Sequence, residues 1–265
     1  MAPNMASAFG ILGNVVSFLV YLAPVPTFHR ICKKKSTEGF QAIPYAVALF
    51  SAMLYLYYAF LKKNAVMLVT INSFGCAIEL LYLAIYMIYA TKESRVFTTK
   101  LILLLNVTSL GFITTCTYYF ACGHLRVNIV GWICAVFSVT VFLAPLSIMR
   151  QVVRTKSVEF MPFTLSFFLT LCAVVWFFYG FLIKDYYIAT PNIIGFIFGV
   201  AQMILYLVYK NKNVCRKQQI QPAEGDSATK ISAQLKTLNN PQEYSDIPAS
   251  NNREIQVVVV NYDEA

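Results

Sequence analysis

Charge is what this sequence has least of. Asp, Glu, Lys and Arg make up 12% of its 265 residues, against roughly 25% in a soluble domain. With long apolar runs beside it, that deficit excludes an ordinary water-soluble fold and points to a chain crossing the bilayer several times. The seven cysteines, at 32, 76, 116, 122, 134, 172 and 215, form no CxxC pair. Neither a metal site nor a disulfide framework is therefore expected, and most of the cysteines read as small buried residues. No nucleophile–base set is visible, so an enzyme is the least favoured class, and no cofactor is expected. Nucleic acid is disfavoured as a partner as well. The net charge of +9 comes from basic residues lying between apolar runs, which is the bias of loops beside a membrane. The N-terminus has no positive region and no small-residue cleavage signature, so its first run reads as a retained helix.

Seven spans are predicted, at about residues 7–28, 43–61, 66–90, 101–121, 127–149, 162–183 and 186–209. Each is long enough for about 30 Å of hydrocarbon at about 1.5 Å per residue. Residues 91–100 read as a polar loop. Residues 210–265, rich in Asn, Gln, Ser, Lys and Glu, read as a disordered tail. Fourteen Lys and Arg flank one side of the spans and four the other, which predicts an extracellular N-terminus and a cytosolic C-terminus.

The chain repeats itself. Ala23-Pro24, Lys35-Ser36 and Glu38 recur 121 positions later as Ala144-Pro145, Lys156-Ser157 and Glu159. Ser17 and Val20 pair with Ser138 and Val141; Ser51, Tyr55 and Tyr58 pair with Cys172, Trp176 and Tyr179. After a one-residue gap, Thr70-Ile71-Asn72 and Gly75 pair with Thr190-Pro191-Asn192 and Gly195. Spans one to three thus recur as spans five to seven, and because three is odd, the unpaired fourth makes the copies parallel. The predicted fold class is an all-α membrane protein, seven transmembrane helices in two parallel three-helix repeats joined by a linker helix. The expected bounds are 1–96, 97–126 and 127–210, with 211–265 as the tail. Repeats of this kind hold a substrate site near the midplane between them.

The segments KKKSTEGFQAIPY (33–45), SAMLYLYYA (51–59), TINSFGC (70–76) and VVRTKSVEFMPF (152–163) resemble the plant SWEET sugar transporters, over about residues 7–210. The wording is most similar to the subgroup associated with sucrose export. The resemblance implies facilitative, bidirectional sugar transport across the plasma membrane without proton coupling, sucrose favoured and hexose possible. The expected partners are the sugar, the lipid bilayer and further copies of the chain in a homo-oligomer.

Asn72 and Asn192 are amides in otherwise apolar spans, related by the repeat, and must face the protein interior. An interhelical hydrogen bond is the plain explanation. A symmetric pair in a transporter points instead to hydroxyl binding, because an amide both donates and accepts. Tyr55 and Trp176 offer aromatic faces, read otherwise as packing; the resemblance implies that they flank the sugar, with tyrosine standing at 55 where tryptophan is usual. Ser17, Val20 and Pro24 share a helix face by spacing, as do Ser138, Val141 and Pro145. Val20, Ser51, Val141 and Cys172 match family positions that bear on mono- versus disaccharide choice; helix packing by small residues is the alternative. Pro24, Pro44, Pro145 and Pro162 match a proline tetrad at the cytosolic gate, although ungapped counting sets Gln41 opposite Pro162. Tyr58 and Asp185 match positions linked to extracellular closure, with a solvated loop charge as the other reading of Asp185. Glu79, the one acid deep in a span, reads first as half of a structural pair, then as a substrate-path or proton group. A seven-helix receptor and a proton-coupled PQ-loop-type amino-acid carrier stand as alternative functions.

Overall fold

Hydropathy and proline placement divide the chain into helices. The computed structural model describes residues 2–63, 65–141, 143–156 and 163–210, with the side chains of 2, 3, 143–145 and 147 left aside. The expectations placed on Pro162, on the side chain of Pro145 and on residues 211–265 lie outside the described residues. The helices are α1 (Ala2–Leu22), α2 (Val25–Lys34), α3 (Ile43–Leu61), α4 (Val66–Tyr89), α5 (Lys92–Ile102), α6 (Leu110–Phe120), α7 (Gly123–Val141), α8 (Leu143–Thr155) and α9 (Phe163–Leu182). A last helix, α10, covers Tyr186–Lys210, and a π-helical segment, Leu103–Ser109, joins α5 to α6. No strand occurs among the described residues. Among the described residues, seven helical stretches are long and apolar enough to cross a membrane: Asn4–Lys34, Ile43–Leu61, Val66–Tyr89, Lys92–Phe120, Gly123–Val141, Phe163–Leu182 and Tyr186–Lys210. Large apolar side chains such as Phe60, Leu80, Phe112, Phe120 and Ile197 stay exposed on their flanks, as a hydrocarbon surrounding requires.

Two boundaries differ from expectation for a physical reason. Residues 91–100 are not a loop. Thr91 caps α5 by accepting the Ser94 N–H at 3.3 Å, and Glu93 sits in the first turn, where the helix dipole favours an acid. Arg95 meanwhile donates to the Ala90 and Ile88 carbonyls at the end of α4, both at 2.9 Å. Capping chemistry starts this helix ahead of its apolar part, where hydropathy is blind. The first span likewise runs on to Lys34, past a break at Ala23–Pro24. Glu38 then turns back on α2, where Lys34 and Arg30 hold its carboxyl below the usual carboxylate range by hydrogen bonding. The cysteines also differ: of the six described, Cys134 is buried, whereas Cys32 and Cys122 are exposed.

The internal repetition shows in backbone detail. Lys35 and Lys156, 121 apart, both end a helix at positive φ, 52° and 54°, which accounts for the repeated Lys-Ser turn. Gly10 and Gly131 are also 121 apart. A Cβ on either would come within 2.6 Å of Met67 or Tyr187 respectively, and those two stand in matched places on α4 and α10. Within the first three spans α3 packs on α4 and α1 on α4, while α1 meets α9 and α3 meets α7 across the halves. The linker lies along α3. Asn106 of the π segment donates to the Ala46 carbonyl at 3.3 Å, and Tyr57 and Thr117 share a hydroxyl bond of 2.8 Å.

Gly180 packs closest against backbone, with the Ile188 Cβ next. A Cβ there would lie 2.8 Å from the Ala189 nitrogen and 3.0 Å from the Asp185 carbonyl. Gly180→Ala is expected to destabilise by about 1–3 kcal/mol, read as a lower melting temperature of the purified protein. An unchanged melting temperature would show that this corner is looser than described.

Candidate substrate cavity

A cavity of about 270 Å³ opens where the halves meet, lined by Ser17 and Tyr21 of α1, Ser51 and Tyr55 of α3, and Leu68, Ile71 and Asn72 of α4. The other wall is Ser138 and Val141 of α7, Trp176 of α9, and Ile188, Pro191 and Asn192 of α10. Eight of the ten positions read from the sequence as substrate-binding therefore come together here. Val20 is half-buried and not among the lining residues. Cys172 lies one layer behind, its Sγ 3.2 Å from Ser17 Oγ. The residues missed are Tyr21, Leu68, Ile71, Ile188 and Pro191. The repeat offset marks four of them, pairing Leu68 with Ile188 and Ile71 with Pro191.

The two amides are held alike. Asn72 donates one N–H to the Leu68 carbonyl at 2.9 Å, and Asn192 one to the Ile188 carbonyl at 2.7 Å. Each bond runs back one helical turn, which fixes the side chain and leaves a carbonyl oxygen and a second N–H at the cavity wall. The aromatics are held by exchange. Tyr55 Oη bonds Ser138 Oγ at 2.8 Å, and Trp176 Nε1 donates to Ser17 Oγ at 2.9 Å. Each aromatic side chain is thus tied to the matching serine of the opposite half, so both bonds cross the seam. The lining carries two amides, three serine hydroxyls, two phenols and an indole, with no carboxylate, imidazole or cation. Such a surface suits a neutral, hydroxyl-rich ligand with an apolar face.

A charged knot ties the Lys62 end of α3 to the start of α10, next to Ile188 of the lining. Asp185, 2% exposed, accepts the Tyr58 hydroxyl at 2.9 Å and pairs with Lys62 through the same oxygen. Its other oxygen accepts the N–H groups of Tyr187 and Ile188 at 3.1 and 3.3 Å, capping α10. The solvated-charge reading of Asp185 is thereby corrected: the carboxylate is buried and four donors surround it. At the opposite end Pro24 caps α2 and Pro44 is the second residue of α3. Pro145 lies within the helical stretch described from Leu143 onward. Glu79 also departs from expectation. It is 5% exposed, its Oε2 is buried without a hydrogen-bond partner, and it forms no salt bridge among the described residues. No group of His, Cys, Asp and Glu able to hold a metal occurs among the described residues.

This cavity has known relatives. The family described as "Sugar efflux transporter for intercellular exchange" matches residues 7–94 and 128–214. The chain belongs to that family, the SWEET proteins. Its SWEET relatives include "Bidirectional sugar transporter NEC1" of Petunia hybrida, 57% identical over 88% of each chain. "Bidirectional sugar transporter N3" of Medicago truncatula is 53% identical over 92% of this chain and 91% of its own. A solved eukaryotic SWEET transporter superposes with a TM-score of 0.73 at 32% identity, covering 78% of this chain and 97% of that one. SWEET membership sets aside the receptor, the amino-acid carrier and the enzyme.

Proposed function

We propose that the chain carries sugar in both directions across the plasma membrane by alternating access, sucrose first and hexose second, without proton coupling. The carrying observation is the cavity itself, where two matched amides and two cross-tied aromatic rings face one another. Amides serve the hydroxyls and ring faces serve the C–H faces of a sugar. Small residues at Ser51 and Val141 leave room for a disaccharide, and the lack of any carboxylate or imidazole in the lining favours uniport. The basic bias of the loops favours an extracellular N-terminus. In that orientation Tyr58 and Asp185 shut the outer side, while Pro24, Pro44, Pro145 and Pro162 serve the cytosolic side.

Proteoliposomes loaded with labelled sucrose or glucose test this. Flux is expected to stop at equal concentrations on both sides, with sucrose competing better than glucose, and an imposed pH gradient should leave that end point unmoved. Gradient-driven accumulation would overturn the uniport reading. Absence of any sugar flux would overturn the transport reading.

A further inference from the structure

Pro24 interrupts the first membrane helix, because proline has no N–H to give and its ring crowds the preceding turn. Around the break the backbone partly recovers. Ala23 N–H donates to the Val20 carbonyl at 3.1 Å, and Phe28 N–H to the Pro24 carbonyl at 3.1 Å as α2 restarts. Between them lies the Tyr21 carbonyl, which an unbroken helix would pair with Val25 N–H. It accepts instead the hydroxyl of Tyr82 on α4, at 2.8 Å. Tyr82 is itself only 2% exposed. Its ring lies flat on Phe28 of α2, centroids 4.3 Å apart and planes 11° from parallel. Tyr45 of α3 stands edge-on to both rings, at 4.9 and 5.8 Å. One side chain thus grips both sides of the break, the hydroxyl on α1 and the ring on α2.

We infer that Tyr82 is a positioning residue for transport, a staple across a hinge at Pro24. Its hydroxyl stands in for the backbone hydrogen bond lost at the break, and its ring seats the arm beyond it. The inference rests on the reading of Pro24 as a gate hinge. Tyr21 also lines the cavity, so the staple connects the cavity wall to the moving arm without touching sugar. At the matched place on α10, 120 residues on, stands buried Gln202, whose amide can donate to a carbonyl as a phenol does.

Tyr82→Phe keeps the ring and removes the hydroxyl. In proteoliposomes its maximal sugar flux is expected to fall about fivefold, a typical cost of one lost hydrogen bond, with half-saturation unchanged and a lowered melting temperature. In Pro24→Ala the N–H is restored, the helix can close and Tyr21 regains its backbone donor. There Tyr82→Phe should change neither flux nor melting temperature. The same loss in both backgrounds, or no loss in either, would overturn the staple. A shift in half-saturation equal to the loss of flux would overturn it too, placing Tyr82 at the sugar. A Pro24→Ala carrier as fast as the parent would overturn the hinge reading instead. Should Pro24→Ala be inactive, the melting comparison decides the staple.

Discussion

Asn192→Ala is expected to lose sugar flux by about 30- to 150-fold while the protein still reaches the membrane in normal amount. The amide spends one N–H on the Ile188 carbonyl at 2.7 Å and keeps its oxygen and second N–H for the cavity. Losing two such contacts removes about 2–3 kcal/mol at about 1–1.5 kcal/mol each, and each 1.4 kcal/mol is about tenfold. Asn72→Ala should behave alike, since its bond to the Leu68 carbonyl repeats that geometry. Radiolabelled uptake set against surface abundance is the measurement. Undiminished flux from an Asn192→Ala protein at normal abundance would remove both amides from the sugar site.

Asp185→Ala should have the largest effect on stability. It leaves Lys62 without its partner, removes the acceptor of Tyr58 and uncaps α10 in a single change. A lost cap alone costs about 1 kcal/mol, and breaking a buried ion pair about 3–5 kcal/mol. Lys62 is partly exposed, which pulls the total toward the lower end, about 3 kcal/mol. Asp185→Asn keeps one oxygen for the cap and sets an amide NH2 where Oδ2 accepted Tyr58 and Lys62, so it should cost less than Asp185→Ala by the worth of the cap, about 1 kcal/mol. Denaturation of the two purified variants checks the order. If both melt with the parent, the knot holds nothing; if they melt together below it, charge and not capping is what matters.

Much of this fold was legible because lipid demands apolar spans and because the chain says most things twice. The 121-residue offset alone pairs Ser17 with Ser138 and Tyr55 with Trp176, and all four meet at the cavity. What the offset cannot tell is that the pairs are crossed, each ring reaching the opposite half's serine; that follows from α1 lying on α9 and α3 on α7. Asp185 looked like a loop charge because burial of a loop residue depends on the partners that fold over it. Glu79 looked like half of a pair because a lone buried carboxylate is costly. Its neighbours in electrostatic reach are Tyr21, Tyr45, Tyr82 and Cys76, none of them a cation. The start of the linker escaped because Lys92, Glu93, Arg95 and Lys100 are polar, and only the Thr91 cap reveals a helix there.

The π-helical segment of the linker works as a vernier. Thr98 and Thr117 are both buried, yet they are nineteen residues apart, about 5.3 turns of an α-helix. On a regular helix they would point about 100° away from one another. The wider i→i+5 turns of Leu103–Ser109 lag by about one residue of rotation, which brings the two threonines back into phase with Asn106 between them. On α3 the carbonyl of Ala46 and the side chain of Tyr57, which Asn106 and Thr117 meet, lie eleven residues apart, close to three whole turns. Two helices of unequal pitch therefore stay meshed along their length. Deleting a single residue within 103–109 would let the segment relax to a regular α-helix, with Thr98 and Thr117 about five whole turns apart and still in phase; inserting one there would instead swing Thr117 off α3.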